Sequence, residues 1–245
     1  KKQNFKIYKS DAIKFLKKLP NNSLDVIATD PAYSGMNNHL MLGKGRIVGK
    51  YKDKGKKDSK WFNEFQDSEE NYRVFLSEAF RVLKPDSHIF IMFDSYSLVS
   101  LSHLVREYFN LKNIIVWDKV HIGMGHYFRR QSEFIIFACK GKRRISSRSI
   151  NDVWPIKRLT RAPYPTQKPV ELFSRMIMAS KHKEDKEYIV CDPFLGSASC
   201  GVAALKNNCK FIGSDISNES ILMSKKRLKE YQNNKIDIYE KTKDK

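Results

Sequence analysis

The sequence predicts an α/β fold with a largely parallel β-sheet and helices on both of its faces. Short apolar segments alternate with segments of helical periodicity along most of the chain. Acidic residues such as Asp30 and Asp192 follow some of the apolar segments, where parallel strands end and ligand-binding turns begin. The length of 245 residues suits one large α/β domain, or at most two small ones, with a substantial core.

Each element is predicted from its own pattern: strands from short apolar runs, and helices from apolar residues recurring three and four positions apart. Asp11 suits the N-cap of the first helix, and Pro85 ends the second because proline cannot continue a helix. Residues 35–60 are rich in Gly and Lys and are predicted to be a long polar loop, which indicates a functional or mobile segment. The predicted strands are 5–8, 24–29, 88–93, 113–117, 134–139, 188–191 and 210–213, and the predicted helices are 11–17, 68–83, 97–108, one beginning near Pro169, 199–206 and 219–231.

The charge of the chain predicts a polyanionic partner. The chain has 46 Lys and Arg against 27 Asp and Glu, a formal net charge of +19. Enzymes of small metabolites rarely need such an excess, whereas proteins held against nucleic acid do. Lys44–Lys60 and Lys140–Arg161 each contain eight Lys or Arg. The alternative, a Lys-rich composition with solvated faces, fits the C-terminal tail better than these two segments.

Several other classes of protein are disfavoured by missing patterns. The four cysteines form no CxxC pair and the six histidines form no HExxH motif, so we expect neither a zinc site nor a disulfide framework. No apolar run approaches the length of a membrane span, and no signal peptide precedes Phe5. We therefore expect a reduced, cytoplasmic protein with no metal and no membrane partner.

The turn after the second predicted strand has the most specific chemistry. Asp30-Pro31-Ala32-Tyr33 follows an apolar run that begins at Val26. Pro31 stiffens the turn, so that one carboxylate, one backbone carbonyl and one aromatic face can converge on a point. A planar ring with an exocyclic amine, such as adenine or cytosine, needs these features from a pocket that acts on its nitrogen. The same residues would also serve as a helix cap, an alternative that this motif alone leaves open.

A second turn of this kind lies near the C-terminus. The apolar run that begins at Ile189 ends in Asp192 and leads through Gly196 and Ser197 into a helix. Asp215 follows the next strand, about 20 positions beyond the glycine turn, where nucleotide-binding α/β folds hold ribose hydroxyls. Because the turn has an aspartate and no G-x-G-x-x-G, it suits a cationic or zwitterionic nucleoside better than a pyrophosphate. S-adenosylmethionine meets this description.

Taken together, these segments resemble the β-class amino-DNA methyltransferases, which modify the exocyclic amine of adenine or cytosine. The resemblance covers about residues 4–232, and the catalytic motif precedes the cofactor motif, as is typical of that class. The chain departs from the family pattern at Ala32, where Pro is usual, at Ala198-Ser199, where Gly-Thr is usual, and at Tyr164, where His is common. The motifs stand in the order Asp11, Asp30–Tyr33, Arg81–Pro85, Trp117–Lys119, Gly123–Gly125, Phe128-Arg129, Glu133, Tyr164–Pro169 and Asp192–Ser197.

The resemblance implies a Rossmann-like methyltransferase fold with a mostly parallel, seven-stranded twisted sheet. It implies a single domain over residues 1–232, followed by a charged tail at 233–245. Within the domain, the catalytic half is 1–139, the basic target-recognition segment is 140–162 and the cofactor half is 163–232. The implied cofactor is S-adenosylmethionine, with S-adenosylhomocysteine as the product.

The resemblance also implies roles for individual residues. In the catalytic motif Asp30, Pro31, Ala32 and Tyr33, the Asp30 carboxylate and the Pro31 carbonyl would accept the target N–H groups, and Tyr33 would stack on the flipped base. Asp215 would hold the ribose of the cofactor, Asp11 its adenine, and Thr166 with Lys168 its methionine end. The full implied cofactor set is Asp11, Ala12, Asp30, Thr166, Gln167, Lys168, Asp192, Pro193, Phe194, Gly196, Ser197, Asp215 and Ile216. The residues expected to contact DNA are Lys44, Arg46, Lys50, Lys52, Phe128, Arg129, Arg143, Arg144, Arg148, Arg158 and Arg161.

The function implied is site-specific methylation of the N6 atom of a flipped-out adenine in double-stranded DNA. Adenine is preferred because adenine members of the family commonly begin the catalytic motif with Asp, and cytosine-N4 members commonly begin it with Ser. Cytosine-N4 methylation is the alternative, and a further one is an inactive protein that binds DNA and S-adenosylmethionine. The short recognition segment predicts a small target site, or help from the 35–60 loop or a second subunit. A homodimer and a cognate restriction endonuclease are the other partners that this resemblance raises.

Overall fold

The structure is a computed structural model, and it describes residues 3–31, 68–123, 128–160, 162–164 and 166–240. The described residues form eight strands and six helices. The strands are β1 (Phe5–Lys9), β2 (Leu24–Thr29), β3 (Leu83–Phe93), β4 (Asn110–Asp118), β5 (Ser132–Lys140), β6 (Val153–Pro155), β7 (Ile189–Asp192) and β8 (Lys210–Asp215). The helices are α1 (Ala12–Lys17), α2 (Glu69–Val82), α3 (Ser95–Val105), α4 (Val170–Ser180), α5 (Ser199–Lys206) and α6 (Asn218–Asn234).

The strands form one sheet in the order β1-β8-β7-β2-β3-β5-β4-β6. Neighbouring strands are parallel except at β5, which runs antiparallel to both β3 and β4. The prediction of a mostly parallel sheet is confirmed, but the described residues form eight strands where seven were expected. The additional strand, β6, has three residues and pairs with the outer side of β4. A segment this short that ends in proline has no periodicity by which the sequence could reveal it.

Helices cover both faces of the sheet, as predicted. Helices α4, α5 and α6 pack on one face around a core that includes Val26, Ala28 and Phe90. Helices α1, α2 and α3 pack on the other face around Ile27 and Ile89. Consecutive residues of β2 enter opposite cores because successive side chains of a strand point to opposite faces. Since both faces are buried, these strands appear in the sequence as continuous apolar runs. None of the described helices has the length and apolar character needed to cross a membrane.

The last helix and the residues after it differ from the prediction. Helix α6 continues to Asn234, so the domain boundary expected at 232 falls within it. Beyond the helix, the carboxylates of Asp237 and Glu240 lie 2.6 and 3.8 Å from the guanidinium of Arg227, which is fully buried. A buried cation is costly unless carboxylates pair with it. The first part of the predicted tail therefore belongs to the folded domain.

The parallel strands all end at one edge of the sheet, here called the carboxyl edge. Five neighbouring strands, taken in the order β1, β8, β7, β2 and β3, each place an aspartate there. Ligands of open α/β sheets bind at this edge. The opposite or amino edge contains the beginnings of these strands and, because β5 is antiparallel, the end of β5. The five aspartates are Asp11, Asp215, Asp192, Asp30 and Asp94.

Candidate active site

The two turns that the sequence singles out meet at the carboxyl edge. Strands β2 and β7 are parallel neighbours, so the residues that follow them are adjacent. The hydroxyl of Thr29 donates a hydrogen bond of 2.7 Å to Asp192 Oδ1, and the N–H of Phe194 donates one of 3.0 Å to the same oxygen. Asp30 comes directly after Thr29. The predicted catalytic and cofactor carboxylates therefore belong to one site.

The Asp192 carboxylate is held in an environment that disfavours its charge. The residue is only 2 % exposed. Burial raises its pKa to about 7, the hydrogen bonds from Thr29 and Phe194 oppose this increase, and the nearby charges of Asp30 and Asp215 add to it. A positively charged ligand would favour the ionised form of such a carboxylate. Its environment therefore suits a cation better than an anion.

The turn between β7 and α5 presents backbone rather than side chains. Gly196 has a φ of +48°, in the left-handed region that glycine adopts without strain. A Cβ atom at this position would stand 3.5 Å from the ring of Tyr164. Asp215 supports the turn by accepting the Gly196 N–H at 2.9 Å and the Ser217 N–H at 2.8 Å, and burial raises the pKa of Asp215. A flat ligand can therefore approach this backbone beside an aromatic ring and a carboxylate.

The segment before α4 contains two features that mark a ligand site. Thr166 has a φ of +59°, a conformation in which a β-branched residue is strained. Gln167 is 7 % exposed, and within the described part of the chain neither the nitrogen nor the oxygen of its amide has a hydrogen-bond partner. An unsatisfied buried amide costs about 1–3 kcal/mol, and a bound polar ligand would remove that cost.

Four charged side chains form a network that ends at the predicted catalytic carboxylate. Lys168 Nζ lies 2.6 Å from Asp30 Oδ2 and 3.7 Å from Glu133 Oε2, and Lys119 Nζ lies 3.2 Å from Glu133 Oε1. All four side chains are between 15 and 28 % exposed. We refer to Asp30, Lys168, Glu133 and Lys119 as the charge network. Its two carboxylates and two ammonium groups balance in charge.

Burial and pairing act against each other within the charge network. Burial raises the pKa of Asp30, although the charge of Lys168 opposes the increase. Burial also favours a higher pKa for Glu133, but the ammonium groups of Lys168 and Lys119 outweigh it and hold that pKa below its ordinary value. For Lys168, burial favours a lower pKa, and the carboxylates of Asp30 and Glu133 outweigh it in turn. The charged forms of Asp30, Glu133 and Lys168 are therefore each stabilised by an oppositely charged neighbour in the network.

Asp11 and its neighbours complete the site at the outer strand. The Asp11 carboxylate caps α1 by accepting the N–H groups of Ile13 and Lys14 at 3.0 and 3.1 Å. The N–H of Ser10 donates to the carbonyl of Asp215 at 3.0 Å, which fixes the end of β1 beside the end of β8. Ala12 is buried at the start of α1. Asp11 therefore lies near Asp215, at the neighbouring strand end.

The remaining predicted cofactor residues line the same turns. Phe194 is half-buried, and its ring meets that of Phe75 edge to face at 5.5 Å. Pro193 and Ser197 are buried within the turn after β7, and Ile216 is partly exposed after Asp215. The structure thus brings every predicted cofactor residue to the carboxyl edge.

Some predicted site residues lie outside the described part of the chain. They are Ala32 and Tyr33 of the catalytic motif, and Lys44, Arg46, Lys50, Lys52 and Arg161 of the basic segments.

The other residues predicted to bind DNA divide between the two edges of the sheet. Phe128 and Arg129 are exposed in the connection from β4 to β5, at the carboxyl edge, and Arg129 donates a hydrogen bond of 2.7 Å to the carbonyl of Gly123. Arg158 is exposed after β6, which runs parallel to β4 and so ends at the same edge. These three residues can flank a ligand at the site.

Arg143, Arg144 and Arg148 are not brought to the site. Arg143 and Arg144 follow β5, and because β5 is antiparallel they emerge at the amino edge. The Arg143 guanidinium bonds to the Asp185 carboxylate, so that residue stabilises the fold. Arg148 is exposed two residues beyond Ser146, which is bonded to the C-terminal turn of α4. Their position therefore does not support the prediction that these three residues contact DNA at the site.

The sequence did not single out Thr29, and it placed Lys119 and Glu133 in the motif series without assigning them a role. Thr29 is a polar residue at the end of the apolar run Val26–Ala28, which was the available signal for a buried hydrogen bond. Glu133 is the second residue of β5 and Lys119 directly follows β4, positions that many solvent-exposed residues occupy. Their proximity to Asp30 depends on the strand order β2-β3-β5-β4, which local sequence patterns do not contain.

Comparison with known proteins agrees with the resemblance to amino-DNA methyltransferases. The family model described as DNA methylase (N6_N4_Mtase) matches residues 24–226. The Type II methyltransferase M2.DpnII of Streptococcus pneumoniae is 31 % identical over 241 residues, which cover 89 % of this chain and 87 % of the relative. The DNA adenine methyltransferase YhdJ of Escherichia coli (strain K12) is 28 % identical over 262 residues, which cover 91 % of this chain and 82 % of the relative. The crystal structure of the M1.HpyAVI-SAM complex has a similar fold, with a TM-score of 0.65 and 22 % identity over 91 % of this chain and 100 % of that one.

Proposed function

Because this chain belongs to the DNA methylase family, we propose that it methylates the exocyclic N6 of a flipped-out adenine in double-stranded DNA, with S-adenosylmethionine as the methyl donor. The family membership makes the chain a DNA methyltransferase, so the inactive binding protein considered from the sequence is not favoured. The observation that carries the finer proposal is the Thr29–Asp192 hydrogen bond, because it joins the turn that would act on the base to the turn that would hold the cofactor.

The residues at the carboxyl edge fit S-adenosylmethionine. The Asp192 environment favours a cation, the Gly196 turn admits a flat group, and the Gln167 amide has no hydrogen-bond partner among the described residues. We propose that Asp215 binds the ribose, that Asp11 lies at the adenine and that Thr166 with Gln167 binds the methionine end. When bound, this cofactor supplies a methyl group attached to a positively charged sulfur atom.

The contribution of the chain to the reaction is to hold the target amine. We propose that Asp30 and the carbonyl of Pro31 each accept one N–H of that amine. The nitrogen lone pair, which is otherwise delocalised into the ring, then becomes localised and available as a nucleophile. Burial raises the pKa of Asp30, which makes its carboxylate a better acceptor for these N–H groups than an exposed one. The target base has to leave the helix because it is inaccessible within a duplex.

Adenine is proposed over cytosine for two reasons. The catalytic motif begins with Asp30, and one curated relative is named as a DNA adenine methyltransferase. Cytosine-N4 methylation is not favoured by either observation. Phe128, Arg129 and Arg158 would contact the DNA around the site, and the segments outside the described residues keep their predicted role. A second copy of the chain and a restriction endonuclease stay predictions, as does an intracellular location.

The test is transfer of labelled methyl groups from S-adenosylmethionine to DNA, followed by sequencing of the modified bases. We expect N6-methyladenine at one short recognition sequence. Asp30→Ala should abolish transfer and leave binding of S-adenosylmethionine within about twofold, because Asp30 acts on the base. N4-methylcytosine in the product would refute the choice of base, and full turnover by the Asp30→Ala variant would refute the catalytic assignment.

A further inference from the structure

We infer that Lys168 positions the Asp30 carboxylate for the target amine, and that Glu133 holds Lys168 in the place from which it does so. This inference rests on the proposed function and changes the role of Lys168, which the family resemblance assigns to the methionine end of the cofactor. It makes Lys168 and Glu133 positioning residues of the methyl transfer.

The contact between Lys168 and Asp30 uses one carboxylate oxygen and leaves the other available. Lys168 Nζ lies 2.6 Å from Asp30 Oδ2. Oδ1 accepts no hydrogen bond from the residues that the structure describes, and the side chain is 28 % exposed. A carboxylate has about four lone-pair sites, so pairing through Oδ2 does not prevent Oδ1 from accepting an N–H. The ammonium group therefore fixes the rotation of the carboxylate and leaves an acceptor for the amine.

Glu133 is a second carboxylate placed to hold Lys168. Its two oxygens lie 3.7 Å from Lys168 Nζ and 3.2 Å from Lys119 Nζ, so it bridges the two ammonium groups. Glu133 belongs to β5, where it pairs with Trp117 of β4, and Lys119 Nζ lies 6.0 Å from the ring of Trp117. This end of the network is thus attached to the sheet. A flexible lysine side chain gains a defined position from contact with two carboxylates.

The two neighbours of Asp30 affect its charge in opposite directions. The charge of Lys168 lowers the pKa of Asp30, and the charge of Glu133 raises it. The other titratable groups that face Asp30 are Asp94 at the end of β3, Asp192 at the end of β7 and Tyr164 before α4. Neutral substitutions of Lys168 and Glu133 should therefore move the ionisation of Asp30 in opposite directions.

The experiment measures the single-turnover rate of methyl transfer between about pH 5 and pH 9, at saturating S-adenosylmethionine and DNA. Under these conditions product release does not limit the measured rate. The variants are Lys168→Met and Glu133→Gln. The matched control is Lys84→Met, which breaks a Lys–Asp pair of 2.8 Å between Lys84 and Asp25 away from the site. The dissociation constant of S-adenosylmethionine is measured for each protein.

We expect Lys168→Met to lower the plateau rate by at least about tenfold and to move the acid limb of the profile to higher pH, with cofactor affinity within about twofold of wild type. Glu133→Gln should also lower the plateau but move the acid limb to lower pH. Lys84→Met should change neither. A carboxyl carbon NMR titration of Asp30 in the free proteins should show the same opposite shifts, and it needs no activity.

Two results would overturn the inference while leaving the proposed function intact. The first is an acid limb that Lys168→Met does not move, combined with weaker cofactor binding, since Lys168 would then serve the cofactor. The second is a shift in the same direction for both variants, which would indicate general distortion of the site. A wild-type enzyme that transfers no methyl group to DNA would instead refute the proposed function itself.

Discussion

Substitution of Asp192 by Asn should stabilise the free protein while weakening its hold on the cofactor. Asp192 is buried, and burial raises its pKa from 3.8 to about 7. The folded state therefore binds the proton more strongly than the unfolded state. The stability that this proton provides is fully present below about pH 3.8 and is lost as the pH rises through about 7. Asn keeps an oxygen acceptor for the Thr29 hydroxyl and the Phe194 N–H, but it has no charge to bury.

The size of the effect follows from the same two pKa values. A pKa difference of one unit corresponds to about 1.36 kcal/mol, so the ionised carboxylate costs roughly 4 kcal/mol at about pH 8.5. At about pH 5 the folded state is still protonated, and the cost is roughly 2 kcal/mol. The stability advantage of Asp192→Asn over wild type should therefore grow by about 2–3 kcal/mol between these two pH values.

The assay is urea unfolding of wild type and Asp192→Asn at both pH values, with calorimetric titration of S-adenosylmethionine at the higher one. The free energy of unfolding of the variant should exceed that of wild type, and its dissociation constant for the cofactor should rise by at least about tenfold because a charge partner is lost. Asp94→Asn, the same chemical change at a neighbouring strand end, serves as the control. A stability difference that is equal at the two pH values would refute the reasoning, since Asp192 would then not be a carboxylate ionised at a cost.

Three further predictions concern other parts of the molecule. Burial lowers the pKa of His88 from 6.5 to about 4, so the folded chain excludes a proton that the unfolded chain binds. The free energy of unfolding of wild type should therefore fall by up to roughly 3 kcal/mol between about pH 6.5 and pH 4. Urea titrations of His88→Gln should lack this dependence of stability on pH. Ala198→Gly should change the urea midpoint little, because two effects oppose each other. Glycine relieves a strained φ of +64°, a gain of about 1–2 kcal/mol, but it loses the buried methyl group and has greater freedom in the unfolded chain. Replacing Arg129 and Arg158 together by Gln should reduce the salt slope of DNA binding by about two, and an unchanged slope would exclude phosphate contacts by both.

The strand ends were predictable because the relevant signals are local. The apolar run at Val26 and the one at Ile189 each end at an aspartate, and both turns lie side by side at the carboxyl edge. Long-range geometry was not predictable in the same way. Whether β5 is parallel or antiparallel decides which edge receives Arg143, and nothing within the strand itself encodes that direction.

The contacts of the residues after α6 were likewise not predictable from local sequence patterns. By composition it is a solvated charged segment, yet Asp237 and Glu240 pair with the buried Arg227, and Glu240 also accepts the N–H of Val170 at the start of α4. Arg227 in turn donates to the carbonyl and hydroxyl of Ser197 at 2.9 and 3.3 Å. A lysine-rich helix gives no sign of which cation will be buried, because that depends on the turn packed against it.

The distribution of charge over the molecule gives a physical reason for the target to enter as an extruded base. The whole chain has a net charge of +19, yet five neighbouring strand ends present aspartates, and among the described residues Lys168 pairs with one of them, Asp30. A DNA phosphate is repelled by such a cluster and attracted to the arginines beside it, Arg129 and Arg158. A neutral base with N–H donors, and a sulfonium cofactor, are the ligands that these carboxylates favour. On the proposed function, this acidic centre within a basic protein would admit the base and keep its phosphates outside, which is what base flipping requires of an enzyme that acts on an exocyclic amine.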